Sequence, residues 1–446
     1  MATISSLDYE SSCMTYALGF SNTPSPSASS SGLPDIRLAV GSFSDNHNEN
    51  NVTVLGVDPI LGWERDESSR SPSTPGLIPL ARAPHPYPCT SIHFSPSTLA
   101  PTLQASAAME DHRELIATSS DTMRLWDLTW SSSSEVGVGG GGSGHGAGVG
   151  AGAGVGGMVG EYVGSGRENG RGGVGWRLSQ RTVLSSSKGE NGAPLTSFSW
   201  CEVEPTLIVT ASIDTTCTVW DISSSTAVTQ LIAHDREVYD VSWSPSSKHT
   251  FASVGADGSV RMFDLRSLEH STILYEASSS SSSGSTSSSK RRENGNANTS
   301  SSKNSTTSEK LQAPPALLRL AFSTVDPNYL AICHVDSNEV HILDVRSPGM
   351  PAWELRHHEG PVNGMCWGSR GNRLATCSDD HQVLIYDLDG VPGSTSSRYP
   401  TGSASGSPEP TMAYTATSEV NTLAWSKTER DWLALGLGST VRCLKL

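Results

Sequence analysis

An all-β fold, a seven-bladed β-propeller whose ring is closed by its own N-terminal strand, is what the sequence predicts. Two observations carry that expectation. Short alternating runs bounded by turn residues recur along the chain, and no one of them could bury both its faces alone. An aromatic or apolar residue followed by Asp also closes these runs at a regular interval. RLWD ends at Asp127, TVWD at Asp221, RMFD at Asp264, HILD at Asp344 and LIYD at Asp387. Asp221 and Asp264 are 43 residues apart, as are Asp344 and Asp387. A period of about 40–45 residues, with four strands to the unit, is that of a propeller blade.

The clearest unit runs from Thr229 to Thr272. VYDVSW (Val238–Trp243) ends at a Ser-Pro pair, and TFASVG (Thr250–Gly255) is followed by Asp257-Gly258 and then SVRMFDL (Ser259–Leu265). Asp-Gly between β-rich runs signals a tight hairpin, so the unit is an antiparallel meander.

From the N-terminus onward, Ile4–Tyr9 is a short alternating run. The last repeat supplies only VNTLAW, WLALGL and TVRCLKL before the chain ends at Leu446. An open ring leaves an unpaired edge, so Ile4–Tyr9 is expected beside that repeat. Blade one takes Met14–Phe20, Arg37–Phe43 and Val52–Asp58, interrupted by a Ser/Pro-rich stretch at Ser21–Pro34. Blade two opens with His85, nine residues before Phe94 as His234 is before Trp243, and continues with ELIATSS and MRLWDL around an insertion near Ser97–His112. PLTSFSW, TLIVTAS and TCTVWDI make blade three, and the Thr229–Thr272 unit is blade four. LLRLAFS, YLAICHV and EVHILDVR make blade five, and PVNGMCWG, RLATCS and QVLIYDL blade six. Residues 1–446 are therefore expected to be a single domain.

Only 35% of the residues are hydrophobic and 17% charged, with 43 Gly and an excess of Ser, too lean for a chain packed throughout. The surplus falls in insertions at 131–175, 277–312 and 391–410, expected to be flexible because they bury too little to offset ordering. The first has Gly runs but no G-x-x-x-x-G-K-[ST], so no phosphate loop is expected. Lys290-Arg291-Arg292, inside the second, is a basic run of the kind read as a nuclear-import signal or as solvated charge. A net charge of −15 argues against direct nucleic-acid binding. No run of 18 apolar residues exists, so no membrane span is expected and the chain should be soluble and intracellular. The eight Cys are scattered singly without C-x-x-C, which reads as buried thiols and not as disulfides or a metal site.

These strings resemble the WD-repeat family, over nearly all of the ordered chain. The resemblance implies a hydrogen-bonded bracket in each blade, formed by a His, a Ser or Thr, a turn Asp and the strand aromatic. His234, Ser253 and Asp257 match it in blade four, with Phe263 in the Trp place. His358, Thr376 and Asp380 match it in blade six with Tyr386, and Asp214 and Asp221 belong to the pattern in blade three. A His–Asp–hydroxyl set invites a catalytic triad, but one that recurs blade by blade suits a structural bracket, so no catalytic residue is expected. His357-His358 and Asp379-Asp380-His381 read likewise as blade positions and turns, with no metal or cofactor.

Asp264-Leu265-Arg266 and Asp344-Val345-Arg346 are more specific. An Asp-x-Arg close resembles the box by which many WD-repeat proteins dock on the damaged-DNA-binding adaptor of cullin-type ubiquitin ligases. A planar Arg fork suits carbonyls and carboxylates, and the alternative is a local bond that ends the strand. Finally, RLAVGSF, HPYP, PLTSFSW, ASIDTTCTVWDI, QLIAHDREVYDVSW, FASVGADGSVRMFDLRSLEHSTILYE, DPNYLA and DDHQVLIYDL resemble the Transparent Testa Glabra group and its animal counterpart, which binds DYRK- and HIPK-type kinases. That resemblance implies a non-enzymatic platform for kinases or transcription regulators; a substrate receptor of a cullin-type ligase is the alternative.

Overall fold

A computed structural model describes residues 6–24, 35–46, 49–57, 76–97, 112–131, 175–184, 192–278, 313–389 and 407–446. The strand β1 (Ser6–Glu10) precedes blade one, which is β2 (Met14–Phe20), β3 (Arg37–Phe43), β4 (Asn51–Val57) and β5 (Leu77–Pro84). Blade two is β6 (Ser91–Phe94), β7 (His112–Ser119), β8 (Met123–Ser131) and β9 (Gly175–Leu184). Blade three is β10 (Leu195–Trp200), β11 (Leu207–Ser212), β12 (Thr216–Asp221) and β13 (Thr226–Ile232). Blade four is β14 (Val238–Trp243), β15 (Thr250–Gly255), β16 (Ser259–Asp264) and β17 (Ser267–Glu276). Blade five is β18 (Leu317–Phe322), β19 (Tyr329–His334), β20 (Val340–Asp344) and β21 (Pro351–Leu355). Blade six is β22 (Val362–Trp367), β23 (Arg373–Ser378), β24 (Gln382–Asp387) and β25 (Pro410–Thr415). Blade seven is β26 (Thr422–Trp425), β27 (Trp432–Leu437) and β28 (Thr440–Lys445), and its fourth strand is β1.

That fourth place closes the ring. β1 runs antiparallel to β28, with Leu7 opposite Cys443 and Tyr9 opposite Val441. The repeat read from the sequence is thus offset from the blade by one strand. Thr229–Ile232, placed with blade four on the sequence, is the end of β13 and hence the outer edge of blade three. The insertions at 131–175, 277–312 and 391–410 lie outside the described residues except at their ends, where Ser131 closes β8, Gly175 opens β9 and Pro410 opens β25.

Because each blade is a single sheet, it buries its faces only against its two neighbours, and the core is a set of seams. Leu7, Leu18, Leu38, Trp432 and Val441 fill the seam between blades seven and one. Val238, Trp243 and Phe251 meet Val209 and Val219 between blades three and four. The innermost strand of every blade ends in an aromatic residue: Phe20, Phe94, Trp200, Trp243, Phe322, Trp367 and Trp425. All seven are buried, so the indole N–H groups of the four Trp among them need partners. Trp200, Trp243 and Trp425 donate to carbonyls of their own following turns (Pro205, Ser247 and Arg430, 2.8–2.9 Å), and Trp367 to Ala321 O of the neighbouring blade at 2.9 Å.

One seam also holds a buried ion pair. Arg37, the first residue of β3, and Glu114 of β7 each have side chains 3% exposed. Arg37 Nε donates to Glu114 Oε2 and Nη2 to Oε1, both at 3.0 Å, while Ser21 and Thr23 hydroxyls also donate to Oε1. The start of the Ser/Pro-rich stretch, Ser21 to Thr23, is therefore locked to blade two.

Candidate functional site: blade brackets, rim turns and the central cavity

In blade four the chain reaches β14 through Ala233–Glu237, and this connection carries His234 inward until it is 1% exposed. Its Nδ1 lies 3.0 and 3.1 Å from the two Asp257 oxygens and its Nε2 2.8 Å from Ser253 Oγ. A carboxylate only accepts, so Nδ1 carries the proton and Nε2 accepts from the hydroxyl. Asp257 also accepts from the backbone N–H groups of Asp235 and Ser259, at 3.2 and 3.0 Å. Burial pushes the Asp257 carboxyl up, but the His234 and Ser259 hydrogen bonds outweigh it and hold the group well below the usual carboxylate range. Gly258 follows at φ 75°, the left-handed turn position. Phe263, lacking an N–H, stacks on Phe251 with centroids 5.1 Å apart.

Blade six repeats the set with other residues. His358 Nδ1 is 2.8 Å from Asp380 Oδ2 and Nε2 is 2.8 Å from Thr376 Oγ1. Burial pushes the His358 imidazole down, against the pull of Asp380. The Tyr386 hydroxyl lies 3.5 Å from His357 Nδ1, and His381 occupies the left-handed turn position (φ 67°) that Gly258 fills in blade four. Asp379 accepts from Asn363 Nδ2 at 2.6 Å. The His and Asp pairs that suggest a metal on paper are thus divided between a bracket and a turn.

Blades two and three use incomplete sets. His85 Nε2 and Trp126 Nε1 converge on Thr118 Oγ1 at 3.1 and 3.0 Å, but His85 Nδ1 meets Tyr87 O at 2.5 Å and no carboxylate. The turn residue Asp121 is taken by Arg124 at 2.6 Å. Burial, with Arg124 adding to it, pushes His85 down to about 4. In blade three Trp220 Nε1 donates to Thr210 Oγ1 at 3.0 Å. Asp214 differs from its expected place: it is exposed and accepts from Thr216 N and Oγ1, at 3.1 and 2.7 Å, within its own turn. The residue nine before Trp200 is Asn191, outside the described residues. Asp221 lies at the rim, where Ser223 N and Oγ donate to it at 2.8 and 2.5 Å.

Ser253 and Thr376 are 0% exposed, so no substrate reaches either hydroxyl. What a bracket does is fasten the connection between blades to the turn below it. Asp257→Ala is expected to strip His234 Nδ1 and two backbone N–H groups of their acceptor, lowering stability by about 1–3 kcal/mol. An unchanged urea midpoint would contradict the pairing.

The Asp-x-Arg turns stand on the outside. Arg266 N, Nε and Nη2 donate back to Asp264 at 2.9, 2.9 and 2.6 Å. Arg346 does the same to Asp344 at 2.9, 2.8 and 2.7 Å, and its guanidinium lies 5.7 Å from the Tyr329 ring centroid. The Arg266 hydrogen bond holds Asp264 down at about 2. Even so, the Arg side chains are 69% and 42% exposed. The other rim Asp residues differ: Ser223 serves Asp221, Asp389 N serves Asp387, and Arg113 and Arg181 serve Asp127. Only blades four and five, which are neighbours, present this fork among the described residues.

A polar cavity at the ring centre escaped sequence reasoning. It measures about 290 Å³ and is lined by the inner strands, with Tyr16, His93, Asp240, Arg319 and Asn363 among its walls. Asp240 accepts from Leu320 N of the next blade at 3.0 Å and Val241 N at 2.9 Å. A second space of about 320 Å³ lies among the aromatic strand ends, with the Lys427–Glu202 ion pair joining blades seven and three beside it. The signal was a lone charge inside an otherwise apolar inner run, Asp240 in VYDVSW and Arg319 in LLRLAFS.

Comparison with known proteins agrees with this architecture. The model of the WD domain, G-beta repeat, matches residues 225–264 and 349–387, each match starting in or just before an outer strand and ending on a rim Asp. A protein of Dictyostelium discoideum named DDB1- and CUL4-associated factor 7 homolog is 32% identical over 411 residues, covering 92% of this chain and 91% of its own. An uncharacterized WD repeat-containing protein of Schizosaccharomyces pombe is 41% identical over 302 residues, 60% of this chain and 65% of its own. A WD repeat-containing protein of Saccharomyces cerevisiae is 45% identical over 197 residues, 44% of this chain and 34% of its own. With seven blades, bracketed turns and end-to-end similarity to the Dictyostelium protein, the chain belongs to the WD-repeat family, in the group that includes that protein.

Proposed function

We propose that this chain is a non-enzymatic scaffold that organises protein complexes in nucleus and cytoplasm, with kinases or transcription regulators among its partners. The observation that carries the reading is similarity along 91% of the Dictyostelium relative, whose own name is that of an associated factor. The bracket geometry supports it, because the His–hydroxyl pairs of the brackets, at His85, His234 and His358, are buried and serve to fasten the blades.

A second reading has its own observation. Asp264/Arg266 and Asp344/Arg346 present the same exposed fork on adjacent blades, and the relative's name refers to DDB1 and CUL4. In this reading the turns dock the adaptor of a cullin-type ligase: the inner Asp holds the guanidinium flat and its remaining N–H groups face outward to a partner's carbonyls. Affinity capture from cell extract tests both. Arg266→Ala with Arg346→Ala is expected to abolish capture of the ligase adaptor and to leave kinase capture intact. Arg266→Lys should rescue poorly, since Lys lacks the planar fork. Adaptor capture at wild-type level by the double Ala variant would remove the docking reading. Parallel loss of every partner would assign the two Arg residues to the fold.

A further inference from the structure

Each blade presents the outer edge of its fourth strand to solvent, and such an edge is a template for pairing with another chain unless it is guarded. Six of the seven outer strands carry a guard in their sequence. β1 has Asp8 and Glu10, β5 has Pro79, Arg82 and Pro84, and β9 has Arg177 and Arg181. β17 has Glu269 and Glu276, β21 has Pro351 and Glu354, and β25 opens with Pro410. β17 is covered further, because Leu274 O accepts from Gly349 N of the next blade at 2.8 Å. β13 is the exception. Its sequence, TAVTQLI, holds neither a charge nor a proline, and Val228 and Ile232 are 59% and 82% exposed. It ends its sheet, and among the described residues no backbone group is bonded along its outer edge. A bulge at Val228 has counterparts in the corresponding pairs of every other blade except blade seven and leaves Thr229–Ile232 in regular register with Val219–Thr216.

We infer that β13 is a strand-addition site, which takes an extended segment of another protein as a fifth strand of blade three. Backbone N–H and C=O groups supply the affinity in such pairing, and alternate side chains the selectivity. The charges at the two ends of the edge define the segment. Asp221 sits opposite Thr226, and Asp214 lies two residues before Thr216, which is opposite Ile232. Neither acid is in an ion pair among the described residues. The matching segment therefore has a short uncharged, β-branched middle with Lys or Arg at its ends. A second copy of this chain fits poorly. Antiparallel pairing of two β13 edges would set Asp221 of one copy against Asp214 of the other, between chains that each carry −15.

The test uses the full chain and a fluorescent synthetic peptide that alternates Thr and Val with Lys at both ends, with binding followed by anisotropy. Saturable binding is expected. Val228→Glu and Ile232→Glu should weaken it about tenfold or more, as should the two corresponding Lys variants, because a charge of either sign guards the edge. The same peptide N-methylated on both a Thr and a Val of its middle, so that both of its edges are blocked, should fail on the unaltered chain, a control that needs no variant to fold. Absence of saturable binding overturns the inference, and so does equal binding of the N-methylated peptide. Tighter binding to the Glu variants would reduce the contact to charge attraction. Sedimentation of a wild-type dimer that Val228→Glu dissolves would give the edge to a second copy instead.

Discussion

Glu114→Ala is expected to cost about 3–5 kcal/mol, the range for breaking a buried ion pair by removing one partner. The reason is that Arg37 stays behind. Its guanidinium is 3% exposed, and Glu114 supplies two of its hydrogen bonds at 3.0 Å. What remains for it is Asp35 at 3.3 Å, with Ser21 Oγ, Thr23 O and Thr23 Oγ1 at 2.9, 2.6 and 3.3 Å and the Trp176 ring centroid 5.2 Å away. Those groups compensate only part of an isolated buried cation. Replacing both partners with apolar residues of similar volume, Arg37→Met with Glu114→Leu, removes the charge problem and should recover most of the loss. Urea denaturation followed by Trp fluorescence measures both. A single variant within about 0.5 kcal/mol of wild type, the range of ordinary surface substitutions, would mean that the seam relaxes to admit water.

Leu7→Ala is expected to cost about 2–5 kcal/mol, as for a large-to-small change in a core. Leu7 is 3% exposed and packs with Leu18, Leu38, Val441 and Cys443 where the first and last strands meet. Asp8→Ala makes the contrast. Asp8 holds Arg442 in two bonds of 2.7 Å, but its side chain is 43% exposed, and exposed pairs contribute about 0.2–1 kcal/mol. If the two variants have equal effects, the closure depends on charge and not on burial. Deleting Ser6–Glu10 altogether should bare the β28 edge, and aggregation on refolding is the expected readout.

The inner three strands of each blade were legible because they are buried on both faces. They read as near-continuous apolar runs, such as YLAICH, in which all six residues are buried. The outer strands, β1 apart, were not. β13 and β17 are exposed along nearly their whole length, so burial leaves no alternation in them to read. The complete brackets at His234 and His358 were legible because their residues fall at the spacing of the WD-repeat pattern, and one backbone geometry sets one spacing. Asp214 was misleading for the same reason: the spacing places it in its turn but cannot supply the His. The Arg37–Glu114 pair joins residues 77 positions apart through two different blades, and no local pattern links them. The lone charges that open RLAVGSF and ELIATSS were its only traces.

The way the ring is closed also decides how it would open under tension. Ser6 lies opposite Leu444 and Glu10 opposite Thr440, so the first and last residues of the paired strands sit at the same end of their ladder. Pulling through the flanking chain would load the Ser6–Leu444 end first and part the cross-strand bonds in succession, like a zip, instead of straining all of them together in shear. The joint that seals the ring against heat and denaturant is therefore a soft one mechanically.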